Sequence, residues 1–299
     1  MTPLYRTIAV VVTHNRKELL KECIQAIMDQ ETGSQLDILI IDNGSTDGTQ
    51  DSIRPFLKDE RIRYVNTGAN LGGAGGFERG VREAAKGSYD FLWMMDDDTI
   101  PSKSALEKLI EAGKRLKGFG FLSSLALWRD GSVCTMNVQR KDIARKLAGR
   151  ELKGRVIPVQ FATFVSLFVP MKVVRKVGAP IGQFFIWGDD WEYTRRISKI
   201  YKCFVITDSR VIHKTQTNVG CDISNDLPER IQRYRYGLRN DIFVAKREGI
   251  KGRIYISLKI IKNIVKIILF SDKEKGERLK VVFSAVRDSG DFHPVSDPI

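Results

Sequence analysis

Along the first 125 residues, short apolar runs alternate with amphipathic stretches. Ile8 to Val12 form a β-branched run that predicts a strand. "NRKELLKECIQAIMDQ" follows, placing Leu19, Leu20, Cys23, Ile24 and Ile27 on one face of a helix. "LDILIIDNGSTDGT" predicts a second buried strand that closes on Asp42 and enters a Gly- and Ser-rich turn. "RIRYVNT" predicts a third strand, "GGFERGVREAAKG" a helix ending at glycine, and "FLWMMDDD" a fourth strand. "SKSALEKLIEAGKRL" predicts a helix whose leading serines suit an N-cap. This alternation predicts an α/β fold of βα units around a mainly parallel sheet. From about residue 120 the pattern changes. "LALWRDGSVCT" predicts a hairpin turning at Asp130-Gly131, "VQFATFVSLFVP" a single β-rich run, and "FFIWGDD" an apolar run ending on carboxylates. Beyond Asn225 the chain reads as helical and basic. The expected division is a main α/β domain over 1–225 and a helical region over 226–299.

In parallel sheets ligands collect at the carboxyl ends of strands. Thr13, Asp42, Asn70 and Asp96 to Asp98 all fall at or just beyond such ends. The stretch "WMMDDDTIP" sets three carboxylates directly behind an apolar run. An isolated acidic triplet reads as a solvated turn; a strand end flanked by other polar ends favours oxygen ligands around Mg²⁺ or Mn²⁺. His213, in "SRVIHKTQ", gains weight from that reading because imidazole also suits Mn²⁺. "NLGGAGGFERG" fails the dinucleotide fingerprint, since Glu78 stands where the third glycine belongs, and it lacks the G-K-[ST] ending of a P-loop. It reads either as a flexible turn or as a place where a ligand approaches backbone amides at a helix start. "FFIWGDDWEY" holds Asp189, Asp190 and Glu192 among aromatics. These acids suit a helix start, or a general base in a partly dry pocket. Phe185, Trp187 and Trp191 offer flat surfaces for a sugar ring.

Composition adds little until charge is considered. Hydrophobic content of 42% and charged content of 28% leave ample material for a core. Cys23, Cys134, Cys203 and Cys221 form no C-x-x-C pair and read as reduced thiols of a cytosolic protein. The first apolar run is too short for a secretory signal. The net charge of +13 favours polyanionic partners: nucleic acid, an anionic membrane surface or phosphorylated substrates. Basic residues thicken at "QRKDIARKLAGRELKGR" and towards the C-terminus. Acidic strand ends stand where a nucleic-acid binder would want Lys and Arg, so no nucleic-acid partner is expected. A glycoside hydrolase also uses two carboxylates but needs no metal directed at a diphosphate; a nucleotidyltransferase shares the layout and the metal.

Taken in order, "VVVTHNR", "IIDNGSTDGT", "NLGGAGGFERG", "WMMDDDT", "FFIWGDDWEY" and "VIH" resemble the motifs of inverting, family 2 glycosyltransferases of the GT-A fold. The glycine motif and the Asp-Asp-x-Glu-Tyr motif are most similar to bacterial galactofuranosyltransferases, with related rhamnosyltransferases next. The resemblance spans roughly residues 5 to 215. It implies a hexosyltransferase that moves galactofuranose from UDP-galactofuranose, or rhamnose from dTDP-rhamnose, onto a hydroxyl of a growing, lipid-linked cell-surface glycan. It places Thr13, Asn15, Arg16 and Asp42 around the nucleotide, with Asp42 near the pyrimidine, and Asn70, Gly72 and Gly73 along the donor. Asp96 and Asp98 would hold Mn²⁺ or Mg²⁺ with His213, and Asp97 would face the donor sugar or ribose. Asp190 would be the base, with Trp187, Asp189, Trp191 and Glu192 around the acceptor. The sequence departs from the galactofuranosyltransferase pattern at Gly188, where a tryptophan usually precedes the paired aspartates; here Trp187 comes one residue earlier.

"RIYISLKIIKNIVKIILF", residues 253–270, is marginally short for a membrane span, and Lys259, Lys262 and Lys266 interrupt it. Its readings are a packed helix with its lysines in water, or a helix lying on the inner face of the cell membrane, apolar side down, with basic neighbours meeting anionic lipid. The second makes the chain a cytoplasmic, peripheral membrane protein.

Overall fold

The structure, a computed structural model, describes residues 5–137 and 154–299, so most of the basic run at 139–155 lies outside the described residues. β1 (Arg6–Thr13) sits between β2 (Gln35–Asp42) and β4 (Phe91–Asp96), and β3 (Ile62–Asn66) lies outside β2. These four strands are parallel. Successive side chains of a strand point to opposite faces. Ile8, Val10 and Val12 therefore join one core with Phe77, Val81 and Ala84 of α3 (Gly72–Ala85). Ala9 and Val11 join the other, with Leu20, Ile24 and Ile27 of α1 (Lys17–Met28) and, beyond the short helix α2 (Thr49–Ile53), with Leu106 and Leu109 of α4 (Ala105–Arg115). A strand buried on both faces reads as a continuous apolar run, which is why these strands were legible.

Beyond β4 the sheet becomes mixed, in the order β3-β2-β1-β4-β8-β6-β9-β5, with β7 also pairing β9. Its strands are β5 (Thr99–Pro101), β6 (Leu122–Leu127), β7 (Val156–Val159), β8 (Leu167–Pro170) and β9 (Cys203–His213). Here expectation and structure part in two places. The hairpin after Leu122 shrinks to one bridge, Leu127 to Val133, around Gly131 at φ +82°. The single run "VQFATFVSLFVP" is strand only at its ends: its first residue closes β7, which lies against β9, and its last four form β8, between β4 and β6, with Ser166 at φ +70° just before β8. "FFIWGDD" is not a strand. α5 (Met171–Val177) is followed by a 3₁₀ turn at Gly182–Phe184, and Phe185, Trp187 and Gly188 then all take positive φ before α6 (Asp189–Ser198). The carboxylates open a helix, in line with the helix-start reading of these acids.

The C-terminal region holds α7 (Pro228–Ile231), α8 (Arg233–Lys246), α9 (Gly249–Phe270) and α10 (Lys275–Asp288). They enclose a small core of Ile231, Tyr234, Leu238, Ile267, Val281 and Val282, with Trp187 packed at its margin. α9 reverses the expected polarity. Lys259 pairs with Asp241 at 2.6 Å and Lys266 pairs with Asp222, so both lysines turn towards the protein. Ile254, Leu258, Ile261, Val265, Ile268 and Leu269 face outward and are exposed. Among the described residues no helix is long and apolar enough to cross a membrane.

Candidate active site

β4 ends at Asp96, and the chain turns through Asp97 and Asp98 into β5. β5 pairs antiparallel with β9, which sets Thr99 opposite His213. Two stretches over a hundred residues apart thereby meet: ligand atoms of Asp96, Asp98 and His213 lie within 4.8 Å of one another. His213 Nε2 is 3.1 Å from Asp98 Oδ1, a buried oxygen with no well-directed hydrogen bond. On the far side of the ring, Nδ1 is 2.8 Å from Asn137 Oδ1, and the Asn137 amide nitrogen donates to Thr163 Oγ1 at 2.8 Å. An amide oxygen only accepts, so Nδ1 carries a proton there and, in the neutral ring, Nε2 presents its lone pair to the carboxylates.

The charges call for a cation. Burial and then Asp98 push Asp96 up to about 7, and burial pushes Asp97 up to about 6. Burial would also raise Asp98, but His213 and Arg16 hold it below the usual carboxylate range. His213 is pushed up to about 10: burial opposes this, and the adjoining Asp98 outweighs it. Two carboxylates and an imidazole, with one buried oxygen lacking a directed partner, fit a hard or borderline divalent ion such as Mn²⁺ or Mg²⁺.

Asp97 points elsewhere. It is 2% exposed, accepts from Thr13 Oγ1 at 2.7 Å, and takes Arg16 Nη1 at 3.2 Å. Thr13 and Asp97 are thus bonded to each other, with Arg16 as a second partner of Asp97. Arg16, half-exposed, bridges Asp97 and Asp98 (2.9 Å) at the edge of the cluster. Arg233 at the start of α8 lies near enough for Arg16 to help depress its pKa, behind burial and Arg230, and it is a basic residue that sequence reading missed.

At the end of β2, Asp42 is held by two partners. Tyr64 donates its hydroxyl to Oδ2 at 2.6 Å, and the Ser45 amide donates to Oδ1 at 2.8 Å. Asp42 therefore holds the pocket wall together, and Tyr64, unnoticed in the sequence, is its partner. Asn15, at φ 54°, accepts the Thr46 amide at 2.7 Å. His14 Nδ1 donates to the Asn43 carbonyl at 2.9 Å, and its Nε2 faces the Asn70 amide at 3.3 Å, tying β1 to the glycine segment. The two assigned glycines differ. A Cβ on Gly72 would stand 2.0 Å from the Phe185 carbonyl oxygen, so Gly72 makes room for the protein's own turn. A Cβ on Gly73 would meet nothing within 4 Å, so only Gly73 leaves space for a ligand.

Across from the metal-type cluster, Asp189 is buried and Asp190 half-buried. Burial, then Asp189, then Asp96 hold Asp190 well above the ordinary carboxylate range. Burial pushes Asp189 up to about 6. The Glu192 carboxylate grips Arg196 (2.8 Å), which donates to the carbonyls of Val177 and Ala179. Trp187 is wedged against Tyr234, with ring centroids 4.9 Å apart, and over Gly237. Trp191, 47% exposed, packs on Phe161 at 4.9 Å and is the aromatic surface left open.

A half-parallel, half-mixed sheet with an acidic strand end, a histidine across from it and a carboxylate-bearing helix start is the arrangement of the GT-A fold. Residues 8–118 match the family profile described as Glycosyl transferase family 2. It is similar to galactofuranosyltransferase GlfT1 of Mycolicibacterium smegmatis, 25% identical over 198 residues, covering 63% of this chain and 64% of that protein. The chain thus matches a little under two thirds of that relative's length. Among solved structures, the fold is shared with GalNAc-T7 bound to UDP, GalNAc and Mn²⁺, at TM-score 0.62 and 14% identity over 82% of this chain and 48% of that one. It is shared too with a mannosyltransferase from Pyrobaculum calidifontis in complex with GDP-Man and Mn²⁺, at TM-score 0.60 and 15% identity over 98% and 77%.

Proposed function

We propose that the protein is an inverting, metal-dependent galactofuranosyltransferase that uses UDP-galactofuranose and a hydroxyl of a lipid-linked cell-surface glycan. The observation that carries this reading is the Asp96–Asp98–His213 cluster, whose Asp96 also acts electrostatically on Asp190. Asp96, Asp98 and His213 would hold Mn²⁺ or Mg²⁺, which when bound would neutralise the leaving diphosphate. Asp190 takes the proton of the acceptor hydroxyl as its oxygen bonds to the anomeric carbon. The bond from that carbon to the diphosphate oxygen breaks on the opposite face, so the configuration inverts. Arg16 and Arg233 add positive charge beside the departing phosphates. The raised pKa of Asp190 makes it a better proton acceptor than an ordinary carboxylate, provided that it is ionised.

One observation favours rhamnose from dTDP-rhamnose as a second reading. Gly188 stands at φ +84°, a conformation in which the tryptophan of the galactofuranosyltransferase pattern would be strained. We also place the enzyme on the cytoplasmic face of the membrane. The outward apolar face of α9 supports this, as do the exposed Lys251, Arg253 and Lys262 on the same helix. The deciding experiment is turnover of UDP-galactofuranose, dTDP-rhamnose and common UDP-hexoses by purified protein with Mn²⁺ and with EDTA. Turnover of UDP-galactofuranose, abolished by EDTA, is expected; full activity in EDTA overturns the metal assignment, and preference for dTDP-rhamnose overturns the donor.

A further inference from the structure

The segment Gln183–Gly188 delivers Asp189 and Asp190 to the site, and its backbone is unusual. Phe185 and Trp187 take φ of 65° each, and Gly188 follows at 84°. Bulky residues avoid this region, and each such position costs on the order of 1–3 kcal/mol, so the surroundings must enforce it. The enforcement is visible carbonyl by carbonyl. Asn240, on α8 and 0% exposed, donates its amide nitrogen to the carbonyls of Phe184 (2.9 Å), Ile186 (3.2 Å) and Trp187 (2.8 Å). Three carbonyls can only accept, so the NH₂ end of the amide must face them. Its oxygen in turn accepts from Arg239 Nε (3.1 Å) and Nη2 (2.9 Å), and Arg239 also donates to the Gln183 carbonyl at 3.1 Å. The remaining carbonyl, that of Phe185, accepts the amide of Ala74 at 3.1 Å from the glycine-rich start of α3.

Packing supports the same assignment. Gly237, one helical turn before Asn240, lets Trp187 lie against α8, since a Cβ there would meet the ring at 2.7 Å. A Cβ on Gly188 would stand 3.4 Å from the Asn240 Cβ, so helix and turn touch closely.

We infer that Asn240 is a positioning residue for the base: it fixes the Gln183–Gly188 turn and so sets Asp190 against the acceptor. The C-terminal helices thereby complete the site, and the glycine segment and the base share one clamped turn. The inference rests on the glycosyltransferase reading for its kinetic part only. Replacing the amide by an apolar side chain of similar size takes that donor away from the carbonyls of Phe184, Ile186 and Trp187, of which Phe184 still accepts from the Ile186 amide and Arg239, and a displacement of about 1 Å at a reacting group costs on the order of 10²-fold in rate.

The test compares wild type, Asn240→Leu and Asn240→Ser, the serine keeping one donor. Three quantities are read: kcat for the nucleotide sugar that the wild type turns over, affinity and stoichiometry for UDP with Mn²⁺ by calorimetry, and hydrogen exchange across 183–191. Expected are a loss in kcat of about 10²-fold for leucine and a smaller one for serine, UDP affinity within twofold at unchanged stoichiometry, and faster exchange in the turn. Unchanged kcat, or kcat and UDP affinity falling together, overturns the inference. If the leucine variant does not fold, the serine variant is judged by the same criteria. If the wild type turns over no nucleotide sugar, the functional reading has failed, and unchanged exchange in the variants would separately refute the clamp.

Discussion

Asn137→Leu tests how the metal-type cluster is built. Asn137 is 7% exposed and touches no proposed substrate position, yet its Oδ1 fixes the proton on His213 Nδ1 at 2.8 Å. Leucine fills similar space and removes the acceptor. The ring is then free to carry its proton on Nε2, the atom that faces Asp98 at 3.1 Å, and a protonated Nε2 cannot bind a metal. Partners of this kind are worth about 10–100-fold in metal affinity, or about 1.4–2.7 kcal/mol. Calorimetric titration of the metal-free protein with Mn²⁺ should show a loss of that size, whereas Thr163→Val, one bond further out, should show a smaller one. Stability should fall by about 1–3 kcal/mol in urea, because a buried N–H loses its acceptor. Mn²⁺ affinity within twofold of wild type would refute the reasoning, and His213 would revert to a structural side chain.

Three further outcomes are expected. Asp190→Asn keeps the shape but cannot take a proton, so turnover should fall by about 10²–10⁴-fold with UDP binding unchanged; a larger loss from Asp189→Asn would show that the wrong acid was chosen. Because burial, Asp189 and Asp96 raise the pKa of Asp190, the wild-type rate should be lost on acidification at a higher pH than for an ordinary carboxylate, and a flat kcat down to the usual carboxylate range would contradict this. Ile261→Asp with Val265→Asp should abolish binding to vesicles containing anionic lipid and leave the melting temperature unchanged, since both side chains are exposed; equal binding by wild type and variant would remove α9 from the membrane.

The sequence showed the parallel half of the sheet plainly, since strands such as Val10–Val12 and Leu39–Ile41 are apolar on both faces. It showed the acids Asp96 and Asp98 because their position follows from the strand that carries them. It could not show what Asp97 and Asp42 bond to, because their partners, Thr13, Arg16 and Tyr64, come from other segments of the chain. Nor could it assign Asn137, whose role depends on the β5–β9 pairing that brings His213 to the cluster. The left-handed backbone at Phe185 and Trp187 could not be read from "FFIW", whose residues favour strands, because the hydrogen bonds that hold it come from α3 and α8. Which lysines of α9 turn inward depended on Asp222 and Asp241, distant in sequence, which take Lys266 and Lys259 and leave Lys262 exposed.

The three ligand positions also bear on how the chain matures. Asp96 and Asp98 come from the parallel half, and His213 comes from the last strand, so the set does not exist until β9 has paired with β5. A fragment ending where the family profile ends, at residue 118, would keep both carboxylates and lack the imidazole. A divalent ion held by all three would bind the finished fold in preference to any partly built one, and would stabilise it by mass action in proportion to that preference. Metal supply would then act on the lifetime of the folded protein as well as on its rate, and metal-starved cells would carry less of the protein, not merely a slower form of it.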